Sequence, residues 1–235
     1  YYTGVHGLTD VHGSPETKKA HPEFYALIGG QRDTEHKGKG TPCFSSEGLF
    51  QETVNYCRFM FDEVDRQAVD IWPVDGLKPC QCELCKDKTS KELVWGFVNR
   101  VATETYKTHP DRVVSCGAYT SYKEAPDSIE KFSPNVMVSI YNYGRITFLD
   151  EDRWNYYTGN IDKWAKKLAP GRIRRGENNL SNGSPRRRDQ ISYPIIFPRA
   201  MARDLVYMKG KSLGEGAESP QIPGRWKSPG VDHLA

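Results

Sequence analysis

The sequence lacks several features that would assign it at once to a class of protein. No stretch approaches the roughly 18 consecutive apolar residues of a membrane-spanning helix, which excludes a membrane-embedded protein. The formal net charge is only +3 at pH 7, which by itself does not indicate a nucleic-acid-binding protein. No Gly-x-Gly-x-x-Gly segment follows a predicted strand, so a dinucleotide site has no support. With 235 residues and 11% aromatic side chains, the chain is long enough to bury a sizeable core and is not wholly disordered.

Amphipathic segments and apolar runs alternate in the first half of the chain. Residues 46–66 carry apolar side chains spaced alternately four and three positions apart, which predicts a helix. The apolar run at 68–74 predicts a strand that ends at the Asp75-Gly76 turn. Thr89 and Glu92 have the spacing of a capping box and predict the start of a second helix, which ends before Pro110.

The second half continues the same alternation. Further strands are predicted over 112–119, 136–143, 172–177 and 212–218, with a weaker candidate at 2–8, and helices around 161–168 and 198–208. Strand–helix alternation predicts an α/β fold with parallel strands. An open doubly wound sheet and a closed (β/α)8 TIM barrel both fit this order. Polar residues that follow several strands favour the barrel, which builds its site from strand ends. Fewer strands are predicted than the eight of a complete barrel, so we expect an incomplete one.

Several short motifs occur in a fixed order along the chain. The first is His-Pro-Glu-Phe-Tyr-Ala-Leu followed by Gly-Gln-Arg, at residues 21–32. Pro-Val-Asp-Gly at 73–76 precedes Cys-Gln-Cys-Glu-Leu-Cys at 80–85. Phe-Val-Asn-Arg-Val-Ala lies at 97–102, and Ala-Tyr, Ala-Pro and Pro-Asn-Val follow within 118–136.

This ordered set resembles the bacterial family called domain of unknown function 4838, over roughly residues 6 to 219. The resemblance implies a relationship to TIM-barrel glycoside hydrolases of the α-glucuronidase type, and an extracytoplasmic (periplasmic or secreted) location. It also implies that residues 1–235 form one barrel domain that begins near the second or third strand. The first one or two βα units and an N-terminal domain would then be absent. Val74 departs from the pattern, because the family usually has Asn before this Asp.

Three carboxyl residues, Asp75, Glu177 and Glu218, lie at or just after the ends of predicted strands. Glycoside hydrolysis needs two carboxyl groups that flank the scissile bond, and a barrel would bring strand ends together. We therefore expect Asp75 to be the general acid, since a buried strand raises the pKa of a nearby carboxyl. Glu177 or Glu218 would be the base or nucleophile. Glu215 competes with Glu218, and each of these carboxylates could instead belong to a turn or cap.

A glycan is the expected partner. The segment from Lys166 to Arg188 contains eight basic residues and a single acidic one, Glu177. Binding of an acidic, uronic-acid-containing saccharide or a solvated basic surface would explain this excess of positive charge. Without a recognisable motif, nucleic acid is not an expected partner. Candidate saccharide-binding residues are those that barrel loops or strand ends would present to sugar hydroxyls and ring faces. They are His6, His12, Tyr119, Tyr141, Asn142, Arg175 and Asn178.

Four of the six cysteines form a candidate metal site. Cys80, Cys82 and Cys85 give Cys-x-Cys-x-x-Cys, and Cys43 could supply a fourth ligand for structural zinc. Disulfides and free thiols are the other interpretations. No cofactor is required for the expected chemistry. The alternatives to a glycoside hydrolase are a non-catalytic glycan-binding barrel and a structural component of an assembly, in which a partner segment or chain completes the barrel.

Overall fold

The computed structural model describes residues 6–141, 150–178 and 198–218. The N-terminal part holds two short helices and a short antiparallel pair of strands. These elements are α1 (Leu8–His12), α2 (Pro15–Ala20), β1 (Leu27–Ile28) and β2 (Gln31–Arg32). Short 3-10 turns follow at Pro22–Phe24 and His36–Gly38. The predicted strand at 2–8 is not a strand where it is described, because Leu8 begins α1; residues 1–5 lie outside the described ranges.

Five parallel strands form the main sheet, and they lie side by side in chain order. They are β3 (Ala68–Asp70), β4 (Val113–Ala118), β5 (Val136–Tyr141), β6 (Ile173–Asn178) and β7 (Ser212–Glu218). The connecting helices are α3 (Glu47–Asp62), α4 (Ser90–Tyr106), α5 (Glu151–Lys167) and α6 (Pro198–Met208), and a 3-10 turn lies at Thr120–Tyr122. The predicted α/β fold with parallel strands is therefore confirmed.

The order of the described strands can be compared with both predicted architectures. A doubly wound sheet reverses its strand order at a switch point. No reversal occurs among the five strands of the described ranges, since each pairs with the next along the chain. All five carboxyl ends therefore lie along one edge, which positions the residues discussed below. None of the helices in these ranges is both long and apolar enough to cross a bilayer.

Strand β3 is shorter than predicted, because the side chain of its last residue replaces part of the strand pairing. The backbone N–H of Trp72 donates a hydrogen bond to Asp70 Oδ1 at 2.8 Å. The chain therefore leaves the sheet after Ile71, whose N–H still donates to the carbonyl of Ser115 at 2.9 Å. Residues 71–74 stay buried although they are not paired as a strand.

Local side-chain chemistry sets the helix ends. Thr89 caps α4 by accepting from Glu92 N at 3.4 Å, as the capping box predicts. The Glu92 carboxylate does not return to Thr89; it accepts from Asp127 N at 2.7 Å and anchors the loop after β4. Helix α3 ends earlier than predicted, because Asp65 adopts φ +52° and Arg66 N donates back to Met60 O.

The core lies between the sheet and the helices. One face of the sheet is apolar and packs on an aromatic cluster in which the Trp95 and Trp164 rings are 4.5 Å apart. Alternation along the strands assigns Asp70, Ser115 and Ser139 to the opposite face, and all three are buried. A buried polar face beside the carboxyl ends of parallel strands is where α/β proteins usually place their sites.

Candidate functional site

Four cysteine sulfurs meet between the β1–β2 hairpin and the loop that follows Asp75. The Sγ atoms of Cys43, Cys80, Cys82 and Cys85 all lie within 4.8 Å of one another. Cys43 Sγ is 3.8 Å from the sulfurs of Cys82 and Cys80, and 3.9 Å from that of Cys85. A tetrahedral zinc ion with Zn–S bonds of about 2.3 Å requires sulfurs about 3.8 Å apart. Disulfide sulfurs would lie about 2.05 Å apart, and all four cysteines are free thiols. The cluster could therefore hold a metal ion.

Backbone pairing brings these distant cysteines together. Cys43 N donates to Phe24 O at 2.7 Å, and Gln81 N donates to Leu27 O at 2.8 Å. Leu27 N also donates directly to Cys80 Sγ at 3.3 Å. Such N–H donors favour the thiolate form that metal binding requires. Cys43, Cys80 and Cys85 are buried and Cys82 is half-buried, so the cluster is closed on most sides.

The thiols of the cluster differ in acidity. A hydrogen bond from the Cys43 thiol lowers the pKa of Cys85 to about 5, and the Ser45 hydroxyl adds to this effect. The same hydrogen bond, together with burial, raises the pKa of Cys43. Burial raises the pKa of Cys80. The hydrogen bond between Cys43 and Cys85 therefore favours the thiolate form of Cys85 and the protonated form of Cys43.

Asp75 lies just beyond the carboxyl end of β3, with one basic side chain near its carboxylate and two near its backbone. Its Oδ2 is 3.8 Å from His6 Nε2, and its side chain is 43% exposed. The His6 Nδ1–H donates to Pro73 O at 2.6 Å, which directs Nε2 toward the carboxylate. The backbone carbonyl of Asp75 accepts from His36 Nε2 at 3.0 Å. Lys37 Nζ would lie 3.8 Å from a Cβ atom on Gly76, the next residue.

Sequence reasoning missed His36 and Lys37. Both belong to the 3-10 turn after β2, and no motif or spacing in the sequence relates that turn to Asp75. The segment between β2 and Cys43 carries them back onto the loop that follows Asp75. His6, which was predicted, does lie beside Asp75.

An aromatic group lies next to His6 and Asp75. The Trp72 Nε1–H donates to Tyr122 OH at 2.6 Å, and the Trp72 and Tyr119 rings meet edge-on at 5.5 Å. The His6 ring is 5.6 Å from that of Trp72. Trp72 packs over β4 at Gly117, where a Cβ atom would be 2.5 Å from the indole ring. Tyr119 is half-buried and packs against the same Trp72 ring as His6.

Asp70 is a second carboxyl group that sequence reasoning missed. It is buried, and burial raises its pKa to about 6. Ser115 Oγ donates to its Oδ2 at 3.0 Å, and the charges of His6 and Arg174 favour its ionised form. An acidic residue between Val69 and Ile71 in an apolar strand was the available signal, because a charge in a buried run is unusual. Asp70 is thus a buried carboxyl with a raised pKa close to the predicted site.

Two predicted saccharide-binding residues lie elsewhere in the fold. Arg175 is 2% exposed and forms a buried ion pair with Asp204 of α6, on the helix-covered side of the sheet. His12 is fully buried against Tyr25, with ring centroids 5.6 Å apart, and burial lowers its pKa to about 4. Neither side chain is accessible to a ligand at the sheet edge.

The other predicted residues are described only through the backbone. Glu177 and Asn178 end β6, Glu218 ends β7, and Tyr141 ends β5. Asn178 pairs with Glu218, and Glu177 pairs with Ala217. All four residues therefore lie at the carboxyl edge of the sheet. Strand β3 ends at the same edge, shortly before Asp75. Asn142 lies outside the described ranges.

Comparison with known proteins gives a family without an established activity. No curated protein matches the chain. A family profile with the description Domain of unknown function (DUF4838) matches residues 1–169. That span contains Asp75 and all four clustered cysteines, whereas Glu177 and Glu218 follow it. The match covers well over half of the sequence, so the chain belongs to the DUF4838 family.

Proposed function

We propose that this chain is the glycan-binding and catalytic part of a glycoside hydrolase. One observation carries the proposal: five adjacent parallel strands share a carboxyl edge, where Glu177 and Glu218 end their strands and Asp75 lies just beyond β3. In this role Asp75 is the general acid that protonates the leaving oxygen. Glu177 or Glu218 is the nucleophile, or the base that activates water.

The strand order supports a (β/α)8 barrel as the complete architecture. Consecutive parallel strands without a reversal are the order of a barrel wall, and the five described strands would form most of it. Strands beyond the five described ones would complete such a barrel, from an additional segment or from a partner chain. Family resemblance adds an extracytoplasmic location to this proposal.

The surroundings of Asp75 favour an acidic saccharide. His6 lies beside the Asp75 carboxylate, and His36 and Lys37 lie beside the backbone of Asp75 and Gly76, so basic side chains are available here with which a ligand carboxylate could pair. Tyr119, which is half-buried and packs against the buried Trp72 ring, supplies a ring surface on which the C–H face of a sugar could pack. A uronic-acid-containing plant glycan has both features.

The four-cysteine cluster fits a structural zinc ion in this proposal. Four thiolates leave no open position for a substrate, so the metal would stabilise the fold rather than take part in the reaction. Cys80 follows Asp75 by only five positions, and Cys43 follows His36 by seven. The ion would therefore hold together the two segments that flank the carboxylate. Elemental analysis should find about one zinc per chain, lost in Cys82→Ser and kept in Cys57→Ser, whose cysteine is buried away from the cluster.

A comparison of turnover with binding tests the proposed activity. The wild-type chain and Asp75→Asn are incubated with glucuronoxylan and with neutral arabinoxylan, and released reducing ends are counted. Removal of a general acid should lower turnover by about 10²- to 10⁴-fold while binding, measured by affinity electrophoresis, is kept. Asp111→Asn, which changes a carboxylate that is 71% exposed, is the matched control.

Different outcomes would support the alternatives. Binding by the wild-type chain without turnover, unchanged in Asp75→Asn, would favour a non-catalytic glycan-binding barrel. Neither binding nor turnover, together with a native mass above that of one chain, would favour a component of a larger assembly. Equal turnover by the wild type and Asp75→Asn would contradict the assigned role of this residue.

A further inference from the structure

We propose that the outer surface of α5 carries a second saccharide site, which takes a single neutral sugar unit. A cavity of about 190 Å³ lies there between the helix and the loop after the Thr120–Tyr122 turn. Its lining includes Glu124, Tyr156, Gly159, Asn160 and Lys163. Pockets for drug-sized ligands occupy about 300–1,000 Å³, so this one suits a single ring. The choice of a sugar as ligand rests on the proposed function, whereas the presence of the cavity is independent of that function.

Tyr156 provides a fixed aromatic surface at the cavity. Its side chain is 50% exposed, yet both its hydroxyl and its ring are held in place. The hydroxyl donates to Glu124 Oε1 at 2.7 Å, and the Lys123 ammonium lies 4.9 Å from the ring centroid. A ring that is both exposed and fixed loses little freedom when a ligand packs on it. The apolar C–H face of a pyranose is a suitable partner for such a ring.

Gly159 leaves the helix surface open beside this ring. The residue lies inside α5, where glycine is a poor helix former. A Cβ atom at Gly159 would meet no atom within 4 Å in the described part of the chain. Packing therefore does not require the missing side chain, and its absence keeps the floor of the cavity free for a ligand.

Asn160 and Lys163 supply the polar groups. Asn160 is 9% exposed, and its Nδ2 donates to Lys123 O at 3.0 Å. Its Oδ1 is buried and accepts no hydrogen bond from the described residues. A ligand hydroxyl that reaches this oxygen would provide the missing donor. Glu124 and Lys163 carry opposite charges at the cavity, and the Lys123 ammonium lies over the Tyr156 ring, so sugar hydroxyls, which both donate and accept, find partners of both kinds.

Ligand-observed NMR with simple sugars tests the site. Saturation transfer to D-xylose, D-glucose and D-glucuronate is measured with the wild type, Tyr156→Ala and Gly159→Leu. We expect a neutral sugar to bind, about tenfold more weakly to Tyr156→Ala, because stacking on the ring is lost. Gly159→Leu should abolish binding by filling the cavity. Since leucine is a better helix former than glycine, this loss would not reflect unfolding.

Two further variants separate this site from the one at Asp75. Gly96→Leu is the matched control, because Gly96 also lies inside a helix and a Cβ atom there meets no atom within 4 Å among the described residues. A signal that persists in Asp75→Asn and Gly96→Leu but disappears in Gly159→Leu supports the site on α5. A signal lost in Asp75→Asn and kept in Gly159→Leu overturns it while supporting the proposed function. The absence of saturation transfer from the wild type to any of the sugars also overturns the site on α5. Glucuronoxylan turnover then tests the proposed function separately.

Discussion

Replacement of Asp70 by Asn should change the pH dependence of stability in a defined direction. Burial raises the pKa of Asp70 from 3.8 to about 6, so the folded chain holds this proton more tightly than the unfolded chain. The stability that the protonated Asp70 carboxyl contributes is therefore fully present below about pH 4, and it is lost as the pH rises toward 6. A shift of about two pKa units at about 1.36 kcal/mol each corresponds to a change of about 3 kcal/mol.

Urea denaturation of the wild type and Asp70→Asn, at intervals from pH 4 to pH 8, measures this effect. The stability of the variant relative to the wild type should rise by about 3 kcal/mol across that range, because the amide remains neutral throughout. Titrating groups that do not interact with Asp70 cancel in the difference. Asp111→Asn should give a flat difference, since that carboxylate is 71% exposed. If the stability of Asp70→Asn relative to the wild type stays constant or falls as the pH rises, the charges of His6 and Arg174 outweigh the effect of burial on the Asp70 pKa. That result would refute the reasoning.

Three further substitutions have expected outcomes. Cys82→Ser should lower the melting temperature and remove its sensitivity to a zinc chelator; an unchanged chelator response would contradict a metal at the cluster. Arg175→Met should cost about 3–5 kcal/mol in urea denaturation, because it removes the guanidinium that neutralises the buried charge of Asp204. The double change with Asp204→Leu should recover most of that loss, and no recovery would argue against a buried ion pair. Gly117→Ala should cost about 1–3 kcal/mol by overpacking against Trp72, whose ring lies 2.5 Å from the new Cβ position.

The fold could be predicted from the sequence wherever periodicity is local. The helix at Ser90–Tyr106 followed from its apolar spacing and its Thr89 cap, and the strand at Ser212–Glu218 was predicted with its observed bounds. Strand ends were harder, because side-chain hydrogen bonds decide them. Asp70 ends β3 by accepting from Trp72 N, and an apolar run continues through Val74 without a sign of this.

The candidate site was predicted in part. The four-cysteine cluster was foreseen because the spacing of cysteines can be read directly from the sequence. The backbone pairing of Leu27, which helps to explain how Cys43 reaches the other cysteines, cannot be read there. Arg175 illustrates the opposite case. A strand alternates its side chains between two faces, and composition alone does not tell which face the helices cover. Its partner Asp204 lies 29 positions away in α6, so no local pattern relates the two.

The separation of the carboxyl groups at the sheet edge tests the central claim most directly. A crystal structure of the chain with a bound acidic oligosaccharide would give the distances from Asp75 to Glu177 and Glu218. A glycoside hydrolase mechanism predicts one pair about 5–9.5 Å apart across the ligand, with the shorter distance for retention and the longer for inversion. If Asp75 lies more than about 10 Å from both glutamates, the paired-carboxylate mechanism is contradicted.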